Sequence, residues 1–230
     1  MMGLPEWDEA KKPLTDIGVL DLQGDVFEHL DHLERIGIPG RAVKRVEELD
    51  HLAGLIIPGG ESTCLSRLMR TFEIDQAIAK RHLEGMKLWG TCAGAILLAK
   101  TIIGEQAHLG LIDIELERNG FGSQMDSFAC EALVPKVSPS PMPLTFIRAP
   151  KIINVGNGTD ILLRIDDYIA AAESSDVLVT VFHPELTPSL EFHRYFARKC
   201  GLNPRGDGEE LAGSPPVWDR TSWMHFARIA

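Results

Sequence analysis

Apolar and polar positions alternate in blocks along the first hundred residues, and each block has the length of one strand or one helix. Ile17-Gly18-Val19-Leu20-Asp21-Leu22 is a short apolar run of the kind a buried strand requires. After Gln23-Gly24, apolar residues at Val26, Phe27, Leu30, Leu33 and Ile36 recur at helical spacing. Asp25 is placed to cap this helix, Glu28 stands where a capping-box partner belongs, and Gly37 supplies the stop. Ala42-Val43-Lys44 reads as a weaker strand, and Leu55-Ile56-Ile57 as a short one running into Pro58-Gly59-Gly60. Ser62 is expected to cap a helix carrying Leu65, Leu68, Met69 and Phe72, and Asp75 to cap another. Lys87-Leu88-Trp89 reads as the end of a strand and Ala95 to Lys100 as a helix. This repetition predicts an α/β fold with a parallel sheet and helices on both faces.

From about Gly110 to Ile169 the pattern changes to short β-rich pieces, Leu111 to Glu117, Cys130 to Val134, Phe146 to Ile147 and Ile161 to Ile165, separated by turn residues. These predict an antiparallel addition, with Pro135 to Pro143 as an exposed loop. Val177 to Phe182 returns to a buried strand. Pro188 to Lys199 reads as a last helix, with Thr187 at its N-cap and Pro188 at its first position. The tail from Asn203 to Ala230 begins as a mobile connection, yet Trp218, Trp223, Met224 and Phe226 are too apolar for a wholly solvated end. The organisation expected is an extension over 1–14, a single domain over 15–202 and a tail over 203–230.

Composition narrows the function classes. At 230 residues and 44% hydrophobic, the chain holds one substantial core. Its net charge of −10 has no lysine and arginine stripe behind it, which argues against nucleic acid or a membrane surface as partner. The longest apolar runs are too short to span a bilayer, and the acidic start is unlike a signal peptide. Cys64, Cys92, Cys130 and Cys200 form no paired spacing, as expected of free thiols in a reducing, cytoplasmic setting.

Against that background Gly90-Thr91-Cys92-Ala93-Gly94 stands out, because it sets a cysteine at the bend between a strand and a helix. Such a bend lifts a nucleophile out of a sheet, flanking glycines let the backbone strain and substrate approach, and the helix N-terminus favours a thiolate. Alone, the motif also fits a small packing cysteine. Phe182-His183-Pro184-Glu185 supplies what a thiol nucleophile needs: His183 as base and Glu185 to hold its tautomer and offset its charge. In an extended segment residues two apart face the same side, and Pro184 fixes the backbone between them. Pro58-Gly59-Gly60-Glu61-Ser62 is a third loop following a strand, and such loops converge on one crevice in open α/β sheets. The N–H groups of Gly60 and of Ala93 are the natural oxyanion donors, and the glycines permit a peptide flip that would switch the hole. By itself this loop also reads as an ordinary turn with a Ser62 cap.

Gln23-Gly24-Asp25, Pro58-Gly59-Gly60-Glu61-Ser62-Thr63, Gly90-Thr91-Cys92-Ala93-Gly94, Glu117-Arg118-Asn119 with Phe121-Gly122-Ser123-Gln124, Phe146-Ile147-Arg148-Ala149-Pro150 and Phe182-His183-Pro184-Glu185-Leu186-Thr187 stand in a family order. From about Ile17 to Leu202 the chain resembles the glutaminase subunits of pyridoxal 5'-phosphate synthase, which are class I (triad) glutamine amidotransferases. The resemblance implies a three-layer fold of that class, with a mostly parallel central sheet, helices on both faces and a small antiparallel β extension. It implies hydrolysis of L-glutamine through a γ-glutamyl thioester on Cys92, with ammonia passed to a (β/α)8-barrel synthase subunit whose docking switches the glutaminase on. Family glutamine contacts carry over to Gly60, Glu61, Ser62, Arg118, Ile147 and Arg148. Elementary chemistry agrees for the charged ones, since Glu61 suits an ammonium and Arg118 or Arg148 a carboxylate.

The chain departs from the family at Ser123, where many members carry arginine, and in its two terminal segments. No cofactor and no metal are expected. His29 and His32 lie at i and i+3 on a helix, a spacing open to a metal pair, but a partner-contact surface is the preferred reading. Cys64, Cys130 and Cys200 read as packing or incidental thiols, without nearby base motifs. The glutaminase of another synthase, such as that of imidazole glycerol phosphate, shares the triad but should lack E-R-N-x-F-G and F-I-R-A-P. A non-catalytic interaction protein on the same fold is the remaining alternative.

Overall fold

Every apolar run singled out in the first hundred residues becomes a strand of one sheet. The computed structural model of the chain describes residues 14–118 and 127–205. In chain order come β1 (Asp16–Leu20), α1 (Val26–Arg35), β2 (Gly40–Val43), β3 (Leu52–Ile57), α2 (Ser62–Thr71), α3 (Ile74–Leu83), β4 (Lys87–Thr91) and α4 (Ala93–Leu98). There follow β5 (Ala99–Ile102), β6 (Ile112–Glu117), β7 (Ser127–Ala132), β8 (Met142–Ile147), β9 (Lys151–Val155), β10 (Asp160–Ile165), β11 (Tyr168–Glu173), β12 (Val177–Thr180) and α5 (Glu191–Lys199). Short 3-10 turns occupy Val46–Leu49 and Pro184–Leu186.

The sheet runs β2-β1-β3-β4-β12-β11-β9-β6-β5, with β10 attached to β11. Its first five strands are mutually parallel. The β12-β11, β11-β9, β9-β6 and β10-β11 pairings are antiparallel, whereas β5 lies parallel to β6. A separate antiparallel pair joins β7 to β8. The parallel βα part and the antiparallel extension expected from the sequence are thus both present.

Residue alternation along β4 assigns the layers. Trp89 points to one face, where its ring meets His29 of α1 at 5.6 Å, and His193 and Phe196 of α5 at 4.9 and 5.5 Å. Its neighbour Gly90 points to the other face, toward Gly94 and Ala95 of α4. With both faces covered, β3 is buried at every position, which is why its sequence is uninterruptedly apolar.

Local expectations fail where side-chain chemistry competes. Asp25 makes no capping hydrogen bond to α1. Glu61, not Ser62, caps α2, accepting from the N–H groups of Thr63 at 2.9 Å and Cys64 at 2.7 Å. The residue before α3 is Glu73, held at φ 54°, so Asp75 lies inside the first turn. The helix after Cys92 ends at Leu98, leaving Lys100 in β5. Pro143 lies within β8, and Val134, Val137 and Ser138 are buried, so 135–143 is only partly a surface loop. Thr187 donates to the Pro184 carbonyl at 2.9 Å, closing a 3-10 turn, and α5 begins four residues later at Glu191.

Arg205 at the start of the tail is tied down: its N–H donates to the Ile36 carbonyl at 2.8 Å and its carbonyl accepts from Arg194 Nε at 3.1 Å. The aromatic residues of the tail and nearly all of the 1–14 extension lie outside the described residues, as does Ser123. Among the described residues no helix is long and apolar enough to cross a membrane.

Candidate active site

The carboxyl ends of β1, β3, β4 and β12 lie along one edge of the parallel sheet, and the loops that leave them meet there. Cys92 follows β4 immediately, at φ 45° and ψ −103°, and is the N-cap of α4. Its N–H donates to the Thr180 carbonyl at 2.8 Å, so the bend is pinned to β12. A non-glycine residue at such dihedrals costs on the order of 1–3 kcal/mol and persists because its surroundings impose it. The imposing elements are the flanking glycines, in a different role from the one expected. A β-carbon on Gly90 would stand 2.5 Å from the carbonyl of Gly94, and one on Gly94 would overlap the Ile57 carbonyl. Gly90 and Gly94 let α4 lie against β3 and β4; the strain itself is at Cys92.

His183 stands just beyond β12, with its N–H donating to the Thr145 carbonyl of β8 at 2.8 Å. Its Nδ1 lies 2.7 Å from Glu185 Oε1. The two side chains align because Pro184–Leu186 turns in a 3-10 helix; the segment is not extended. Asp25 Oδ2 also reaches Nδ1, at 3.3 Å. With Nδ1 donating to two carboxylates, Nε2 is left for Cys92, which lines the same cleft. Burial opposes a charge on His183, but the neighbouring Cys92, Glu185 and Asp25 outweigh it and hold the imidazole well above its ordinary pKa. Burial pushes the Glu185 carboxyl up, and the charge and hydrogen bond of His183 pull it back. Such an arrangement can keep a thiolate beside an imidazolium.

Gly60 sits at φ 144°, a conformation only glycine adopts readily, and the Gly59 carbonyl before it is packed against the α-carbon of Gly24. Gln23 Oε1 accepts the N–H of Glu61 at 3.3 Å, tying the loop after β1 to the loop after β3. Ala93 is the first residue of α4, where an N–H has no partner within the helix.

These loops surround a cleft of about 660 Å³, lined by Gly60, Glu61, Ser62, Cys92, Ala93, Arg118, Ile147, Arg148 and His183. All the candidate residues thus share one cavity except Glu185, which stands behind His183. Ile147 brings its carbonyl within 3.9 Å of Cys92 Sγ. Ser62 Oγ is buried and makes no hydrogen bond among the described residues. Arg118 is committed, to both Glu105 oxygens at 2.7 and 2.8 Å and to Glu61 at 3.5 Å. Hydrogen bonds to Thr63 and Cys64 hold Glu61 ionised, with Arg118 adding to them. Arg148, exposed at the cleft and at φ 43°, has no hydrogen bond or ion pair among the described residues.

Several site features were missed in the sequence. In sequence Asp25 reads as a helix cap, yet its loop leaves the carboxyl end of a core strand like the other three and its carboxylate turns to His183. The histidine pair of α1 is no partner surface: His29 and His32 are wholly buried, and their ring nitrogens meet His193 at 2.9 and 3.1 Å. Asp25, His183 and Glu185 bring potential ligand atoms within 4.8 Å of one another, the group among the described residues suited to a metal ion, but these atoms already serve each other. Burial raises the thiols of Cys130 and Cys200, the latter to about 12, as befits inert packing cysteines.

The model of the SNO glutamine amidotransferase family matches residues 19–202. A protein of Syntrophus aciditrophicus named pyridoxal 5'-phosphate synthase subunit PdxT is 59% identical over 92% of this chain and 94% of its own length. Its namesake from Ruminiclostridium cellulolyticum is 49% identical over 80% and 98%. A crystal structure of glutamine amidotransferase superposes with a TM-score of 0.77 at 43% identity, covering 81% of this chain and 99% of that one. The structure of PurLQS from Thermotoga maritima, at 18% identity and a TM-score of 0.59, shares the fold.

Proposed function

The chain belongs to the SNO glutamine amidotransferase family, and on that premise we propose that Cys92, His183 and Glu185 hydrolyse L-glutamine to L-glutamate and ammonia. The protein is a glutaminase serving pyridoxal 5'-phosphate synthesis, in keeping with relatives named as synthase subunits at up to 59% identity. The observation that carries the assignment of residues is the strained Cys92 at the head of α4, directly after the strand paired with β12, beside an imidazole tied to Glu185 at 2.7 Å.

In the reaction the Cys92 thiolate attacks the γ-carboxamide carbon. The N–H groups of Gly60 and Ala93 receive the oxyanion, and the His183 imidazolium gives its Nε2 proton to the departing nitrogen. The C–N bond breaks, ammonia leaves, and a γ-glutamyl thioester remains on Cys92. His183, now neutral, takes a proton from water as it attacks the thioester, releasing glutamate and restoring the ion pair. Glu185 stabilises the imidazolium throughout.

For binding, the open guanidinium of Arg148 supports recognition of the substrate carboxylate, the Glu61 carboxylate suits its ammonium, and Ser62 and Ile147 shape the cleft. Arg118 supports the site by holding Glu61 in place. We assign delivery of the ammonia to a (β/α)8-barrel synthase subunit. Four free cysteines support a reducing compartment, the cytoplasm. The deciding experiment measures glutamate and ammonia release from glutamine, with and without a purified synthase subunit. Release that depends on Cys92 is expected; no release in either condition, or release unchanged by Cys92→Ala, overturns the proposal.

A further inference from the structure

Behind the reacting groups lies a buried polar feature that the hydrolysis itself does not use. Glu185 is wholly buried and spends Oε1 on His183, while Oε2 makes no hydrogen bond. His29 Nε2 of α1 faces Oε2 at 3.5 Å, with Thr91 Oγ1 3.4 Å from the same nitrogen. The line continues away from the site: His29 Nδ1 to His193 Nε2 at 2.9 Å, then His193 Nδ1 to His32 Nδ1 at 3.1 Å. All three rings are wholly buried, and the edge of Trp89 locks His29 and His193 in place.

A neutral imidazole carries one N–H and one bare nitrogen, so three in series have only two concerted polarities. Burial, together with the charges of His183 and Arg35 and of each ring on the next, keeps all three neutral. In one polarity His29 Nε2–H points at Glu185, His193 donates from Nε2 to His29, and His32 donates from Nδ1 to His193. The bare nitrogen is then His32 Nε2. In the other polarity a His29 lone pair faces the carboxylate. The Thr187 backbone beside His32 favours that second state, but a peptide dipole is a weaker influence than the full charge of Glu185.

We infer that His29, His193 and His32 form a buried imidazole chain that positions Glu185, with His29 Nε2–H directed at Glu185 Oε2 and its tautomer fixed by the two rings behind it. The inference rests on the assignment of Glu185 as the partner of His183. The 3.5 Å contact is long for a hydrogen bond; such contacts tighten when charge develops in the site. These histidines touch no substrate. They act as positioning residues, keeping Glu185 ionised and its Oε1 aimed at Nδ1.

Long-range nitrogen–proton NMR correlation on histidine-labelled wild-type chain tests the polarity directly. The expected result is His29 protonated at Nε2, His193 at Nε2 and His32 at Nδ1; His29 protonated at Nδ1 overturns the inference. A kinetic arm compares His29→Leu with His29→Gln, which retains an N–H donor, in complex with the synthase subunit. Loss of a hydrogen bond to a charged group predicts that His29→Leu lowers kcat about tenfold with KM unchanged and moves the alkaline limb of the pH profile down by about one unit. His29→Gln should recover most of the loss. A folded His29→Leu protein with the wild-type kcat and pH profile also overturns the inference. If wild-type protein hydrolyses no glutamine, the assigned activity fails instead, and the tautomers still report on the chain.

Discussion

Asp25 Oδ2 lies 3.3 Å from Nδ1 of His183, the same ring nitrogen that Glu185 Oε1 approaches to 2.7 Å. One N–H is therefore shared by carboxylates from two different loops. Asp25 keeps 33% of its side chain exposed and Glu185 none, so solvent screens the first and not the second. Asp25→Asn is expected to lower kcat by no more than about tenfold, whereas Glu185→Gln should cost about 10³-fold or more. Parallel pH–rate profiles check this, and equal losses in the two variants would contradict the ranking.

Removing the thiol should abolish turnover while leaving the cleft intact. Cys92→Ala is expected to lose roughly 10³-fold or more in kcat and still bind glutamine. Calorimetric titration of the variant reads the binding, and intact-mass analysis during turnover should detect the glutamyl adduct in the wild type alone.

The two arginines of the cleft should separate kinetically. Arg148 is unpaired among the described residues, so Arg148→Ala should raise KM by about 10- to 100-fold with kcat little changed, the signature of lost ground-state binding. Arg118→Ala releases Glu105 and Glu61 as well and should alter both constants. Initial-rate kinetics on both variants tests the distinction; an unchanged KM in Arg148→Ala refutes the assignment.

Gly24 couples the loop after β1 to the glycine loop after β3. At φ 104°, with a β-carbon position overlapping the Gly59 carbonyl, Gly24→Ala forces the Gly59–Gly60 peptide to move. The expected loss is about 10²-fold in kcat, the scale of a displaced oxyanion donor, with the circular dichroism spectrum unchanged. Wild-type turnover in this variant would remove the loop from the reaction.

Buried neutral histidines make stability depend on acidity. His29 and His193 are held well below the ordinary histidine pKa, and His32 is lowered to about 3, burial being the main cause in each. Below a pH of about 6.5 the unfolded chain takes up protons that these rings refuse, so their contribution is complete above that pH and declines below it, for His32 until about 3. Each costs about 1.4 kcal/mol per pH unit across its window. His183 has the opposite sign: its raised pKa adds stability that is present in acid and lost as pH rises through that pKa. With three rings against one, urea midpoints should fall between pH 7 and 5, and His193→Phe should flatten the decline. Midpoints independent of pH over this range would refute it.

The parallel half of the fold was legible because a strand covered on both faces must be apolar throughout, as in Leu52–Ile57 and Val177–Thr180. The candidate residues were legible because the chemistry sits on loops following those strands. Less could be read where one residue type has two uses. Asp25 and Ser62 are good helix caps in isolation, yet Asp25 turns to His183 and the cap of α2 comes from Glu61. The strand Tyr168–Glu173 was obscured by its run of alanines, residues with little preference for strands that are buried here between neighbours. His29 and His32 showed helical spacing, but their burial depends on His193, more than 160 residues away, and no local pattern carries that partner.

The pairing of β4 with β12 has a consequence for how the protein fails. Thr91 is in register with Thr180, and the Cys92 N–H closes on the Thr180 carbonyl, so Cys92 and His183, the proposed nucleophile and base, hang from adjacent strands in the middle of the sheet. Fraying at the outer strands leaves their separation untouched; only rupture of the central ladder parts them. Heat inactivation should therefore be abrupt and superimpose on the melting of the sheet, with no preceding phase of gradual decline.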